Sequence, residues 1–199
     1  NYTVASGNTS SDLDYGSTSA LALNSGIIKD AAGNAATLTL ASPRATNSLG
    51  ANKALIIDTT PPTMAITATD GSSAVSSGST TNDATLTVTF TSSETTTNFA
   101  SSDITVTGGS ISSFSGSGTT YTATFTPSSD GATTIDVAAS TFTDAAGNNN
   151  TVATQYTWTH DGTPPAISSV SLASNNSTIA VTLSESSYNT SSGSGSLEM

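Results

Sequence analysis

The chain has 199 residues and no cysteine, with fourteen Asp or Glu against three Lys or Arg and a formal charge of −11. All three cations, Lys29, Arg44 and Lys53, lie in the first 53 residues. The rest of the chain therefore has no basic footprint to displace counterions from phosphates or to hold an anionic bilayer, which excludes nucleic acid and membrane headgroups as partners. No apolar stretch reaches the roughly 18 to 20 residues that span a bilayer, so direct membrane insertion is excluded too.

In chain order, residues 1–60 begin at Asn1 in what reads as the middle of a strand, without a signal-peptide pattern, and the chain is expected to be part of something longer. "DLDYG", with Asp12 and Asp14, has the opening acids of a calcium loop but lacks the later acids and the terminal Glu of an EF-hand. "IIKDAAGNAAT" follows, and the segment closes on a strand at "KALIID". "IDTTPPT" at 57–63 then matches "HDGTPPA" at 160–166, placing two Pro-Pro pairs 103 residues apart. Consecutive prolines fix φ and remove two donors, so each pair is a short stiff linker. The linkers divide the chain into 1–60, 61–163 and 164–199.

The middle segment alternates. In "ATLTVTF" (84–90) Ala84, Leu86, Val88 and Phe90 point one way, while Thr85, Thr87 and Thr89 point the other. The pattern predicts strands A at 63–69, B at 84–91, C at 103–107, D at 111–115, E at 120–126, F at 132–139 and G at 152–159, with Tyr156 and Trp158 on the core face. Turn clusters such as "TGGS", "SGSG" and "SSDG" separate them, and no useful helical periodicity exists. In the last segment "AISSVSL" and "STIAVTLSE" read as the first two strands of a further domain. The fold class is all-β: antiparallel sandwiches in tandem, one complete and flanked by two partial ones.

"DTTPPT", "TFTDAAGNNNT" and "DGTPPAISSVSLASNNSTIAVTLSES" resemble the tandem immunoglobulin-like repeats, HYR- and cadherin-like in style, of very large bacterial surface and secreted proteins, adhesins among them. The likeness covers nearly the whole chain. It implies an extracellular or bacterial cell-surface stalk or fibre of domains stacked head to tail, often stiffened by calcium at the junctions. The partial ends are expected to pair with neighbouring domains, and copies of this chain are candidate partners.

In a seven-strand sandwich the B–C and F–G loops emerge where strand A begins. Asp58 in the entering linker, Glu94 after strand B, and Asp144 and Asn148 between F and G should therefore meet. Carboxylates and an amide carbonyl are hard oxygen donors, suited to a calcium ion that takes six to eight oxygens. Asp161 and Glu185 define a matching site at the next junction, and Asp30 with Asn34 repeats the Asp144–Asn148 frame "DAAGN". A hairpin turn without any metal accounts equally for that frame, because Asp and Asn side chains satisfy nearby backbone donors.

Catalysis finds no support. His160 neighbours Asp161 on extended chain, where adjacent side chains diverge, and neither a Gly-x-Ser-x-Gly elbow nor a cysteine nucleophile exists. A Lys-to-Asn isopeptide bond is excluded for the middle segment, which has no lysine. Other classes that fit are a carbohydrate- or protein-binding module and an accessory domain of a secreted hydrolase.

Overall fold

The computed structural model describes residues 3–186; the end of the last segment, from 187 onward, lies outside the described residues. In order come a short helix α1 (Leu49–Asn52), then β1 (Met64–Thr69), β2 (Ala74–Val75), β3 (Thr80–Thr81), β4 (Leu86–Thr96), a 3-10 turn at Ser101–Asp103, β5 (Ile104–Thr107), β6 (Gly109–Pro127), β7 (Gly131–Val137), β8 (Tyr156–His160), β9 (Ile167–Leu172) and β10 (Ile179–Leu183). Two four-stranded sheets, β2-β1-β4-β6 and β3-β8-β7-β5, make a sandwich, and β9 and β10 pair as a separate hairpin.

Alternation builds the core. Leu86, Val88 and Phe90 of β4 are buried, as are Tyr121, Ala123 and Phe125 of β6, and Thr87 and Thr91 between them are exposed. From the other sheet come Ile135, Val137, Tyr156 and Trp158, and the Trp158 ring meets Phe125 edge-on at 4.5 Å. Each such side chain fully removed from water contributes about 1.5–3 kcal/mol. Gly109 starts β6 where no side chain fits, since a Cβ there would lie 2.4 Å from the Phe125 ring.

The sheets are antiparallel with one exception. β3 runs parallel to the last strand, Thr80 opposite Thr159 and Thr81 opposite His160. Gly78 N–H donates to the Thr157 carbonyl at 2.7 Å, Thr159 N–H to Ser79 at 2.9 Å and Asp161 N–H to Thr81 at 3.0 Å. This short strand, like β2, goes unpredicted, because two-residue strands carry no periodicity.

Three other expectations need correction. Strands D and E form one extended ribbon, β6, which doubles back on itself: the Ser115 and Thr122 hydroxyls are 3.4 Å apart, and Gly116 packs on Thr120 and Tyr121. Strand B runs on from 91 to Thr96. "KALIID" is not a strand; Ser10 and Ile57 make an isolated bridge instead. Residues 3–60 contain no sheet for that segment to join, and an isolated strand pair is marginal in water. In the last segment β9 and β10 form as expected but leave Ile167, Val170, Leu172, Ile179 and Val181 exposed.

Replacing Phe90 by Ala is expected to cost about 3–5 kcal/mol in a urea melt. Thr87→Ala on the opposite face of the same strand should change stability by no more than about 0.5 kcal/mol.

Candidate metal centre

Glu94 reaches the rim of the sandwich because β4 is long. The parity that buries Leu86, Val88, Phe90 and Ser92 turns Glu94 to the same side, beyond the last core layer. There it meets the connection between β7 and β8, whose fold is set mainly by Asn150. The Asn150 amide oxygen accepts from Thr141 N–H at 2.8 Å and Phe142 N–H at 3.0 Å, and its NH2 donates to the Ala138 and Thr151 carbonyls, each at 2.8 Å. Phe142 is thereby inserted into the core, and Asn98, bonded to Thr96 and Thr143, ties the loop after β4 to this connection. Thr96 pairs with Asp144 in an isolated bridge.

Asp144, largely buried, closes a tight turn. Its Oδ1 accepts from Ala146 N–H at 2.8 Å and Asn148 N–H at 2.9 Å, its Oδ2 accepts from the Asn148 amide at 2.8 Å, and Gly147 takes φ +91°. The twin sequence folds the same way. Asp30 accepts from Ala32 N–H at 2.9 Å, Asn34 N–H at 2.8 Å and the Asn34 amide at 2.8 Å, with Gly33 also at φ +91°. The frame is therefore a self-sufficient turn. What differs is its surroundings: Asp30 is exposed, whereas Asp144 faces two more acids.

Asp58, Glu94 and Asp144 each place a carboxylate oxygen within 4.8 Å of the others, and among the described residues they are the one group of three or more potential metal-binding side chains. Asn148 links the set by donating to the Asp58 carbonyl at 3.1 Å as well as to Asp144, so it enters as a donor that positions two of the acids. Asp58 is further fixed by Thr60 N–H at 2.9 Å. Beside the triad opens a cavity of about 480 Å³, whose walls add Ser10, Ser11 and Thr60 to Asp58 and Glu94. Among the described residues no Lys or Arg pairs with an acid, and the one His–carboxylate contact is His160 with Asp130, so no cation balances the triad.

Burial, then the neighbouring Asp58 and Asp144 charges and a hydrogen bond to Asp58, raise the Glu94 carboxyl above its ordinary value. Burial pushes Asp144 up as well, but its hydrogen bonds from Asn148, Ala146 and Gly147 outweigh that and hold it low. Two carboxyls in one pocket are thus driven apart, Glu94 toward accepting a proton and Asp144 toward keeping its charge. The donor set is all oxygen and strongly anionic, which fits a hard divalent cation of calcium type.

The second junction repeats the first in part. Thr163 N–H donates to Asp161 at 3.3 Å as Thr60 does to Asp58. Ala166 and Ser184 exchange the same backbone and hydroxyl bonds as Thr63 and Ser93. Glu185 follows Ser184 as Glu94 follows Ser93, and one of its oxygens is shut from solvent without a hydrogen-bond partner. No third acid joins Asp161 and Glu185 among the described residues.

Other acids have local work. Asp14 accepts from Arg44 N–H and Tyr15 N–H, each at 2.9 Å, and lies with Asp12 against Gly50 in α1. His160 pairs with Asp130 at 3.3 Å rather than with Asp161, and Asp130 also accepts from Gly162 N–H at 2.7 Å and from the Thr163 hydroxyl. Sequence reasoning missed Asn98, Asn150 and Asp130. The run "GNNN" signals a tight turn without revealing which Asn is buried.

Raised in the folded state, the Glu94 carboxyl opposes folding once ionised, and the loss grows as pH rises from its unfolded through its folded value. Without divalent ions Glu94→Gln is therefore expected to melt higher than the parent at pH 7 by a few degrees, and the gap should close below about pH 4. Circular dichroism melts across pH check this.

A profile of the bacterial Ig-like domain matches residues 58–160, just over half of the chain. No curated protein and no solved structure matches it. No helix among the described residues is long and apolar enough to cross a membrane. The two-sheet sandwich, its core and this match agree: the chain belongs to the bacterial Ig-like domain family.

Proposed function

We propose that this chain is a spacer segment of a bacterial cell-surface or secreted adhesin-like fibre, non-catalytic, in which calcium at the seams between successive sandwiches stiffens the array. The observation that carries this reading is the triad itself. Its acids come from three separated stretches, the linker before β1, the end of β4 and the β7–β8 connection, and they meet where residues 3–60 adjoin the sandwich. Mutual repulsion makes that meeting unfavourable unless a cation sits among them.

In this reading Asp58, Glu94 and Asp144 hold the ion, Asn148 orients two of them, and the ion supplies charge neutralisation and a bond between linker and sandwich. Asp161 and Glu185 are the first two acids of the equivalent seam toward the next module. The apolar face of β9 and β10 is where the rest of that module packs, head to tail with the present one. Trypsin finds no Lys or Arg from residue 62 onward, which suits exposure outside the cell.

Melting with and without calcium tests the proposal. Ion at a hundredfold over its dissociation constant should add about 2.7 kcal/mol by mass action. The increment should vanish in Asp144→Asn and in Glu94→Gln, so that calcium reverses the order of parent and Glu94→Gln found in chelator. An unchanged melt in the parent chain would refute the calcium seam.

A further inference from the structure

At the same end of the sandwich a second cavity, about 450 Å³, opens between the tail of β4 and the tip of the β6 ribbon. It arises from a mismatch in pairing. Thr91 lies opposite Thr120 and Thr96 opposite Gly118, so β4 spends three more residues than β6 across the same gap. The ribbon tip turns on Gly116 at φ +138° and Gly118 at +67°, which glycine adopts freely, and Ser113 before it takes φ +53°, uncommon for a residue with a side chain. Uncommon conformations of this kind persist where the surroundings hold them, and they concentrate at ligand sites.

The floor is aromatic and rigid. Phe114, half-buried, stacks on Tyr121 at 5.7 Å with only 14° between the rings, and Phe99 meets both edge-on. The Tyr121 hydroxyl donates to the Thr96 carbonyl at 2.9 Å, which locks the platform. Around the rim Thr95, Thr97, Ser115 and Ser117 are exposed, and no charged side chain lines the cavity, although the molecule carries −11 overall. Tyr156 and Trp158 are buried in the core, as their place in the strand pattern predicts, and take no part.

We infer that this cavity is a binding site for a neutral saccharide. A pyranose presents C–H groups on one face and hydroxyls around its edge, matching an apolar ring floor bordered by Thr and Ser hydroxyls. Neutrality fits a site without charge on an acidic protein, which disfavours anionic sugars. The volume lies within the roughly 300 to 1,000 Å³ of small-molecule sites, and a locked platform loses little freedom on binding. The inference goes beyond the spacer reading and is independent of the metal.

The experiment is an amide ¹H–¹⁵N titration of the whole chain at fixed calcium, with maltose, cellobiose, lactose and N,N′-diacetylchitobiose each taken to about 20 mM, and with sialyllactose and indole as contrasts. Expected is saturable movement of the amides at 95–97 and 115–118 with at least one neutral disaccharide and a dissociation constant of millimolar order. Phe114→Ala should weaken it by at least about tenfold, and Ser117→Ala or Thr97→Val, which alter exposed hydroxyls only, by about threefold. No saturable shift with any neutral disaccharide, shifts confined elsewhere, preference for indole or sialyllactose, or full binding by all three variants would overturn it. If Phe114→Ala fails to fold, the two hydroxyl variants decide.

Discussion

The two-residue period of β4 is the constraint on which both core and seam depend. Leu86, Val88 and Phe90 face inward, and removing them from water holds the two sheets together. Although pairing with β6 shifts register after Thr91, burial along β4 keeps alternating, and Ser92, Glu94 and Thr96 inherit the inward side. A one-residue slip between β1 and β4 would send Glu94 to the outer face and expose Phe90 at once. Packing and electrostatics at the rim are therefore set by one registration.

Electrostatics then act on a scaffold that does not need them. The Asp144 turn forms through its own hydrogen bonds, as its exposed duplicate at Asp30 demonstrates, so the carboxylates are not assembled by an ion. They are delivered by hydrogen-bonded loops: Asn150 shapes one, Asn98 fastens it to another, and Asn148 reaches across to the linker. The repulsion that results is paid for by folding energy elsewhere, chiefly the buried aromatic and aliphatic side chains. A cluster of like charges on a frame already formed would bind a neutralising ion without prior reorganisation.

Much of this was legible before any coordinates. Alternating residues in "TLTVTF", "YTATF" and "YTW" located β4, the second half of β6 and β8, and an argument from loop positions in a seven-strand sandwich brought Asp58, Glu94 and Asp144 to one corner. The remainder lacked a local signal. A two-residue strand such as β3 has no period to detect, and the fold-back of β6 depends on glycines whose φ is invisible in sequence. "KALIID" has strand composition but pairs with residues 10–13 only through one isolated bridge and a few backbone bonds, and pairing is a property of two segments. Sequence offers the Asn148 carbonyl as a ligand but gives no sign that its NH2 donates to Asp144 and to the Asp58 carbonyl. Asn150 gives no signal of its own, because three consecutive Asn look alike until one of them is buried.

The parallel pairing of β3 with β8 bears on how the molecule carries tension. A pull applied through the linker before β1 and the linker after β8 acts near opposite ends of the sandwich, along its strands. Backbone bonds from Gly78, Thr159 and Asp161 cross between β3 and β8, slanted as in any parallel pair, so that pull acts across them rather than along them. They are loaded in shear and must yield together, unlike the rungs of a hairpin that open one after another. Were the two linkers drawn apart, a patch only two residues wide would be sheared rather than unzipped.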